Sequence, residues 1–311
     1  MLIQQSNIAL GSKTELTIVS SSEDVDTDTV FRELWLQIFT FERTFSRFLP
    51  GSELSAFNRS AGLDTSISSE FHDLLATAQR YAQDTKGLFN PFILPALQKA
   101  GYVHSMVAAY AEDPVENYER RKVVPPEALS LHQHSSTIPY GSAIDFGGIG
   151  KGYLADKLAE YMKSLADIAG YWFSLGGDVV ASGVDERGVE WSVEIEDTSG
   201  KNNIAGSVSV TKGERTAVAT SSTTARKGIK AGVAWHHIID PRTNLPAVSD
   251  IATATVVAAS ATRADIVATC LIILGSAEAI PFAKTMDTDG VLLQLSDGRV
   301  ISSGKIRTLN A

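Results

Sequence analysis

Apolar residues recur at helical spacing in two early segments. In "VFRELWLQIFTFERTFSRF", Leu34, Trp35, Ile38, Phe41, Phe45 and Phe48 share one face, which predicts a helix over 30–48 broken at Pro50-Gly51. Phe71, Leu74, Leu75, Ala78 and Tyr81 do the same over Ser69 to Asp84. Ahead of both, "TELTIVS" at 14–20 predicts a strand. The second half alternates short strands with turns: "GYWFSLGG", "EWSVEIED", "GSVSVTKG", "TAVATSS", "WHHIIDP" and "ATATVVAAS". Helices over Ala261 to Leu274 and near 276–286 interrupt them, and "GVLLQLSDGRVISSG" closes the chain as a hairpin turning at Asp297-Gly298. Strands and helices mix without regular βαβ alternation, so the pattern predicts an α+β fold with largely antiparallel sheet. The polar, proline-marked stretch 108–127 predicts an exposed excursion.

One stretch of this pattern suggests chemistry. "AIDFGGIGKGYLADKLAEYMKS", Ala143 to Ser164, reads as a short strand, a glycine turn around Lys151, and a helix with Leu154, Leu158, Tyr161 and Met162 on one face. A helix N-terminus, close backbone approach and a lysine suit a phosphate. The order of residues is neither a P-loop nor GxGxxG. By itself the stretch equally suits a tight turn with a solvated lysine.

Composition narrows the picture. The chain has 311 residues, 44% of them hydrophobic and 20% charged, as expected of a globular protein with a real core. Its net charge of −9 argues against general nucleic-acid binding, though not against a local anion site. Cys270 is the one cysteine, so neither an internal disulfide nor a cysteine-rich zinc site can form; its apolar helical run predicts a buried thiol. The N-terminus has no basic segment followed by an apolar run and no lipid-attachment cysteine, and "CLIILG" is too short to span a bilayer. The expectation is a cytoplasmic protein without membrane insertion.

Further candidates are each open to two readings. In "ATRADIVATCLIILG", Asp265 and Thr269 fall one helical turn apart, a spacing that can hold Mg2+ or simply place an Asp on a helix surface. In "WHHIIDPRTNLPA", His236 and His237 point to opposite faces of a strand; one could be a general base, or they could be one core and one surface histidine. Gly176-Gly177-Asp178 and the hydroxyls Thr220, Ser221 and Ser222 either line a pocket or make turns.

Taken in order, "SRFLPGSELSAFN", "GLFNPFILPAL", "DFGGIGKGYLAD", "SLGGDVVASG", "AVATSS", "HHIIDPRTNLPA" and "ADIVATCLIILG" resemble the ApbE family, the FAD:protein FMN transferases or flavin transferases. The likeness runs from about Ile8 to Gly275. It implies a single ApbE-like (T-fold-like) α+β domain over 1–311, two-lobed, with FAD in a cleft. It implies that FAD is split, that FMN is joined through its phosphate to a Ser or Thr hydroxyl of a partner flavoprotein, and that AMP leaves, with Mg2+ required. The acceptor would carry a short motif ending in Ser/Thr-Thr.

By the same resemblance, Asp265, Thr269 and the carbonyl of Gly148 would hold Mg2+, and Lys151 would touch the FAD phosphates. His237 would take the proton of the acceptor hydroxyl, with Asp265 counted beside it as catalytic. Leu10, in place of a usual methionine, and Phe48, in place of a tyrosine or other aromatic, would lie beside the flavin. Leu88, Phe89 and Asn90 match a segment along FAD; Gly176, Gly177, Ile238 and Asp240 complete the implied FAD contacts, and Asp240 would shape its loop. Three departures stand out. Asn90 replaces a usual aspartate, Asn244 replaces the glycine of "DP-x-T-G", and the export signal common among relatives is missing. Asparagine tolerates the left-handed conformation, so the Asn244 turn is expected to survive. Competing functions are a Mg2+-dependent FAD pyrophosphatase yielding FMN and AMP, a non-catalytic FAD-binding protein and, last, a redox flavoenzyme.

Overall fold

The computed structural model describes residues 1–104, 123–198, 204–230 and 232–308. The helices named below are α1 (Thr27–Phe45), α2 (Glu53–Arg59), α3 (Ser69–Asp84), α4 (Leu94–Ala100), α5 (Gly150–Lys163), α6 (Ala261–Leu274) and α7 (Ser276–Thr285). Every strand pairing among the described residues is antiparallel, as the alternating pattern requires. The fold is α+β. The chain divides into two compact units, Met1–Phe39 with Lys151–Ser222 and Ser249–Ala311, and Thr40–Gly150 with Thr223–Val248.

The first unit is built on an eight-stranded sheet. Its spatial order is Leu2–Ala9, Ser12–Ser20, Ile168–Leu175, Asp178–Gly183, Arg215–Ser222, Ile251–Ala258, Gly290–Leu295 and Val300–Gly304. A small sheet lies against it: Val193, Ile195, Ala205 and Val208 join Val179, Ala181, Val218, Val257 and Leu292 in one buried cluster. Helix α6 packs on the strands Arg215–Ser222 and Ile251–Ala258. It is buried nearly all round, so its sequence shows little amphipathic contrast, and side chains such as Ile266 and Leu271 each contribute about 1.5–3 kcal/mol. Asp156 of α5 anchors the start of α6: its carboxylate accepts from Ser260 Oγ (2.7 Å), Ala261 N (2.8 Å), Thr262 N (2.9 Å) and Thr262 Oγ1 (2.7 Å). An anion there also complements the helix dipole.

The second unit has an aromatic core. Phe45 and Phe71 stack at 5.6 Å, Phe57 lies 5.2 Å from Phe71, and Phe146 meets Phe71 edge-on at 5.7 Å. Helix α3 begins where expected because Ser68 caps it, accepting from Phe71 N, while Glu53 accepts from Ser68 N and Oγ.

Three expected elements differ. Helix α1 ends at Phe45, three residues before Phe48, and Arg47 turns its side chain to Asp145 and to the carbonyl of Tyr102. Residues Ala143–Phe146 form no strand; the side-chain amide of Asn58 bonds both Ile144 N (2.8 Å) and Ile144 O (2.9 Å), where a neighbouring strand would otherwise pair. The strand expected over "WHHIIDP" is two short strands, Val233–His236 and Ile239–Asp240. His236 accepts from Ile238 N through Nδ1, which folds the backbone between them. Most of the excursion at 108–127 lies outside the described residues; at its described end, Pro126 is buried in a short 3-10 turn.

Candidate active site

In the first unit, the hairpin turn Gly176-Gly177 links Leu175 to Asp178. Asp178 is buried; one carboxylate oxygen pairs with Lys151 Nζ and the other accepts from Thr220 N at 3.0 Å. Lys151 is the second residue of α5, so its charge is delivered at a helix N-terminus. A Cβ on Gly176, whose φ is +66°, would lie 2.4 Å from Ser12 Oγ and 3.8 Å from Lys151 Cδ. The Ser12 hydroxyl is buried there without a hydrogen-bond partner. Ser12, Gly176 and Lys151 therefore converge on a spot offering a cation, an unspent hydroxyl and bare backbone. That donor set fits a phosphate. Leu10 occupies the tip of the neighbouring hairpin with φ +55°, a costly conformation for leucine.

Asp265 is buried on α6, and its Oδ2 accepts from Gly152 N at 3.3 Å. Only glycine permits this approach of α5 to α6, because a Cβ at position 152 would lie 2.4 Å from Ala261 O. Thr269, on the same α6 face, shares a 2.8 Å hydrogen bond with Ser221 Oγ. Next to Ser221 in the same strand, Thr220 Oγ1 shares one of 2.8 Å with Thr255 Oγ1. Among the described residues no three His, Cys, Asp or Glu side chains cluster as a metal site. The oxygen donors Asp265 and Thr269 are of the type that suits a hard divalent cation.

In the second unit, Arg47 and Asp145 form a buried ion pair, Nε to Oδ2 2.9 Å. The guanidinium lies over the rings of Phe48 (4.1 Å) and Tyr102 (4.6 Å), and its Nη2 donates to Tyr102 O. Tyr102 also meets Trp235 at 6.1 Å and the His237 ring edge-on at 6.2 Å. Phe48 and His237 are thus brought to one tyrosine that sequence reasoning did not single out. The backbone of His237 is fixed by its N–H to Arg226 O at 3.0 Å. Asp240 shapes the following loop: its carboxylate accepts from Arg242 N, Nε and Nη2, and its carbonyl accepts from Asn244 N. Asn244 adopts φ +57°, so asparagine does sustain this turn. Ile238 is buried beside it.

Phe89 is buried, with Cε2 3.8 Å from where a Gly148 Cβ would stand, and Leu88 is half-buried. Asn90 serves the fold: Oδ1 accepts from Phe92 N and Nδ2 donates to Val124 O, both at 2.9 Å. Ser12, Arg47 and Tyr102 are not among the residues the sequence singled out, and Asp178 entered there only with the Gly176-Gly177 turn. Arg47 and Asp178 stood inside quoted motifs, but nothing in the sequence pairs Arg47 with Asp145 or Asp178 with Lys151.

The ApbE family model matches residues 10–292. The chain is 25% identical to the FAD:protein FMN transferase of Treponema pallidum, over 99% of this chain and 89% of that one. It is 26% identical to the Escherichia coli K12 enzyme of the same name, over 78% and 70%. Among solved structures, the ApbE protein of Thermotoga maritima superposes with a TM-score of 0.81 at 23% identity, covering 97% of each chain. The apo flavinyl transferase ApbE of Pseudomonas stutzeri gives 0.80 at 20% identity, covering 97% of this chain and 94% of that one. With the family model spanning most of its length, this chain belongs to the ApbE family.

Proposed function

We propose that this protein is a Mg2+-dependent FAD:protein FMN transferase. The observation that carries the reading is the pair of oxygen donors on α6, buried Asp265 and half-buried Thr269, in the unit that also presents Lys151, Ser12 and Gly176. Family membership and the relatives' activity support it.

Asp265 and Thr269, with the carbonyl of Gly148, would hold Mg2+, which supplies Lewis-acid charge neutralisation to a pyrophosphate. Lys151 binds and orients the phosphates, held meanwhile by Asp178. Phe48, with Leu10, Leu88 and Phe89, offers apolar contact to the flavin, and Gly176, Gly177, Ile238 and Asp240 shape the backbone around the substrate. His237 accepts the proton of an acceptor Ser or Thr hydroxyl. The hydroxyl oxygen forms a bond to the FMN phosphorus, the bond from that phosphorus to the AMP oxygen breaks, and AMP departs with the electron pair. No helix among the described residues is long and apolar enough to cross a membrane. A cytoplasmic site of action remains part of the proposal.

Intact-protein mass spectrometry tests this. Purified chain, FAD, MgCl2 and a small FMN-binding domain with a Ser/Thr-Thr motif are mixed, and AMP is assayed in the same tube. The expected result is an acceptor heavier by one FMN residue, matched by AMP and abolished by EDTA. AMP without a modified acceptor would assign the pyrophosphatase instead. Bound FAD with neither product would leave a binding protein.

A further inference from the structure

The hairpin Lys227–Lys230 and Val233–His236 has no role in the reading above. Among the described residues Lys227–Lys230 pairs with Val233–His236 alone, and no described strand pairs with its other edge. One face of the hairpin is seated on the unit. Trp235 crosses Gly228, where a Cβ would lie 2.9 Å from the indole, and it reaches Gly101, where a Cβ would lie 2.6 Å from Nε1. Lys230 Nζ donates to Lys99 O at 2.9 Å, at the C-terminal end of α4.

The opposite face is exposed at Lys227, Ile229 and Ala234. Strand alternation puts Lys227 and Ile229 there, and Ile229 is 78% exposed. His236, opposite Lys227, bonds Ala247 O, which brings the 99% exposed Val248 alongside. The charge is equally one-sided. Between Thr223 and Val248 the sequence holds Arg226, Lys227, Lys230 and Arg242 against the single carboxylate Asp240, in a chain of net charge −9. Asp240 is itself paired with Arg242. A lysine such as Lys227 beside an unpaired edge repels a basic strand and attracts an acidic one. The hairpin also leads directly to His237, whose N–H is held by Arg226 O.

From this we infer that the unpaired edge at Arg226–Lys230, with Ile229 and Val248, docks the acceptor protein through an acidic, extended segment carrying an apolar side chain. The inference rests on the transferase reading. The docked segment supplies the hydroxyl beside His237; the hairpin itself touches no reacting atom.

The test uses the full chain, FAD, MgCl2 and an FMN-binding acceptor domain whose Ser/Thr-Thr motif is flanked by Asp and Glu. The enzyme variant is Lys227→Glu with Ile229→Ser, both exposed, so folding is not at stake. The acceptor KM should rise about tenfold, with kcat at saturating acceptor and the FAD Kd unchanged. Neutralising the flanking acids of the acceptor should raise its KM with the wild type and add little with the variant. An unchanged acceptor KM overturns the proposal. If the variant instead converts a wild-type dimer to monomer at unchanged KM, the face belongs to a second copy and the proposal is overturned. Wild-type enzyme that modifies no acceptor overturns the transferase reading and this inference with it.

Discussion

Arg47 and Asp145 meet at 2.9 Å with their side chains 6% and 7% exposed, which makes them a buried ion pair beneath Phe48 and Tyr102. Such a pair is costly to break from one side, because the survivor keeps its charge without its partner. Arg47→Met should cost about 3–5 kcal/mol in urea unfolding. Adding Asp145→Leu should recover much of that loss. If Arg47→Met alone is neutral, the pair does not hold this region.

Asp265 faces the first turn of α5 through Gly152 N and shares its α6 face with Thr269. Asp265→Asn keeps the shape and an acceptor for that amide but removes the charge that a divalent cation needs. It should abolish Mg2+-dependent AMP release and weaken Mg2+ binding in calorimetry, at a melting temperature close to wild type. Undiminished Mg2+ binding would place the metal elsewhere.

His237 is set by its backbone bond to Arg226 and by the edge of Tyr102. As the base, His237→Ala should slow transfer by about 100-fold or more while leaving FAD affinity nearly unchanged. Equal losses in rate and affinity would make it a binding residue.

Lys151 is coupled to Asp178, which also takes the Thr220 amide. Lys151→Ala should weaken FAD binding by roughly 10–100-fold, the worth of a charged hydrogen bond. Asp178→Asn should do less, since the lysine stays and only its tether is lost. A larger effect from Asp178→Asn would mean that the pair acts as a unit.

These sites also mark what the sequence could and could not disclose. Helix α3 and helix α6 were legible to the residue, the first from its apolar periodicity, the second from a largely apolar segment that ends at Gly275. The Gly176-Gly177 turn was legible because glycines so placed have few other uses. The extended stretch at Ile144 was misread as a strand because its partner is one asparagine side chain 86 residues away. The pairings of Asp178 with Lys151 and of Arg47 with Asp145 were illegible for the same kind of reason. A charged residue in a motif does not say which opposite charge it meets, since that pairing is a property of the packed chain.

His236 gives a pH dependence whose direction follows from its contacts. Its Nε2 lies 3.0 Å from Ala247 O and its Nδ1 3.3 Å from Ile238 N, which fixes a neutral ring donating at Nε2 and accepting at Nδ1. Burial holds its pKa below the ordinary 6.5, partly offset by the Ala247 bond. The unfolded chain therefore takes up this proton before the folded one does. The contribution is intact above pH 6.5 and is lost progressively as pH falls from there through the folded value. Protonation would also turn an N–H at Nδ1 against the N–H of Ile238. The carboxylate of Asp250, held below 3.8 by its bonds to Ser276, titrates outside this window. The melting temperature of the wild type should drop between pH 7 and pH 5 more steeply than that of His236→Gln, which has nothing to titrate at this position. Parallel curves for the two proteins would remove His236 as a source of the acid sensitivity.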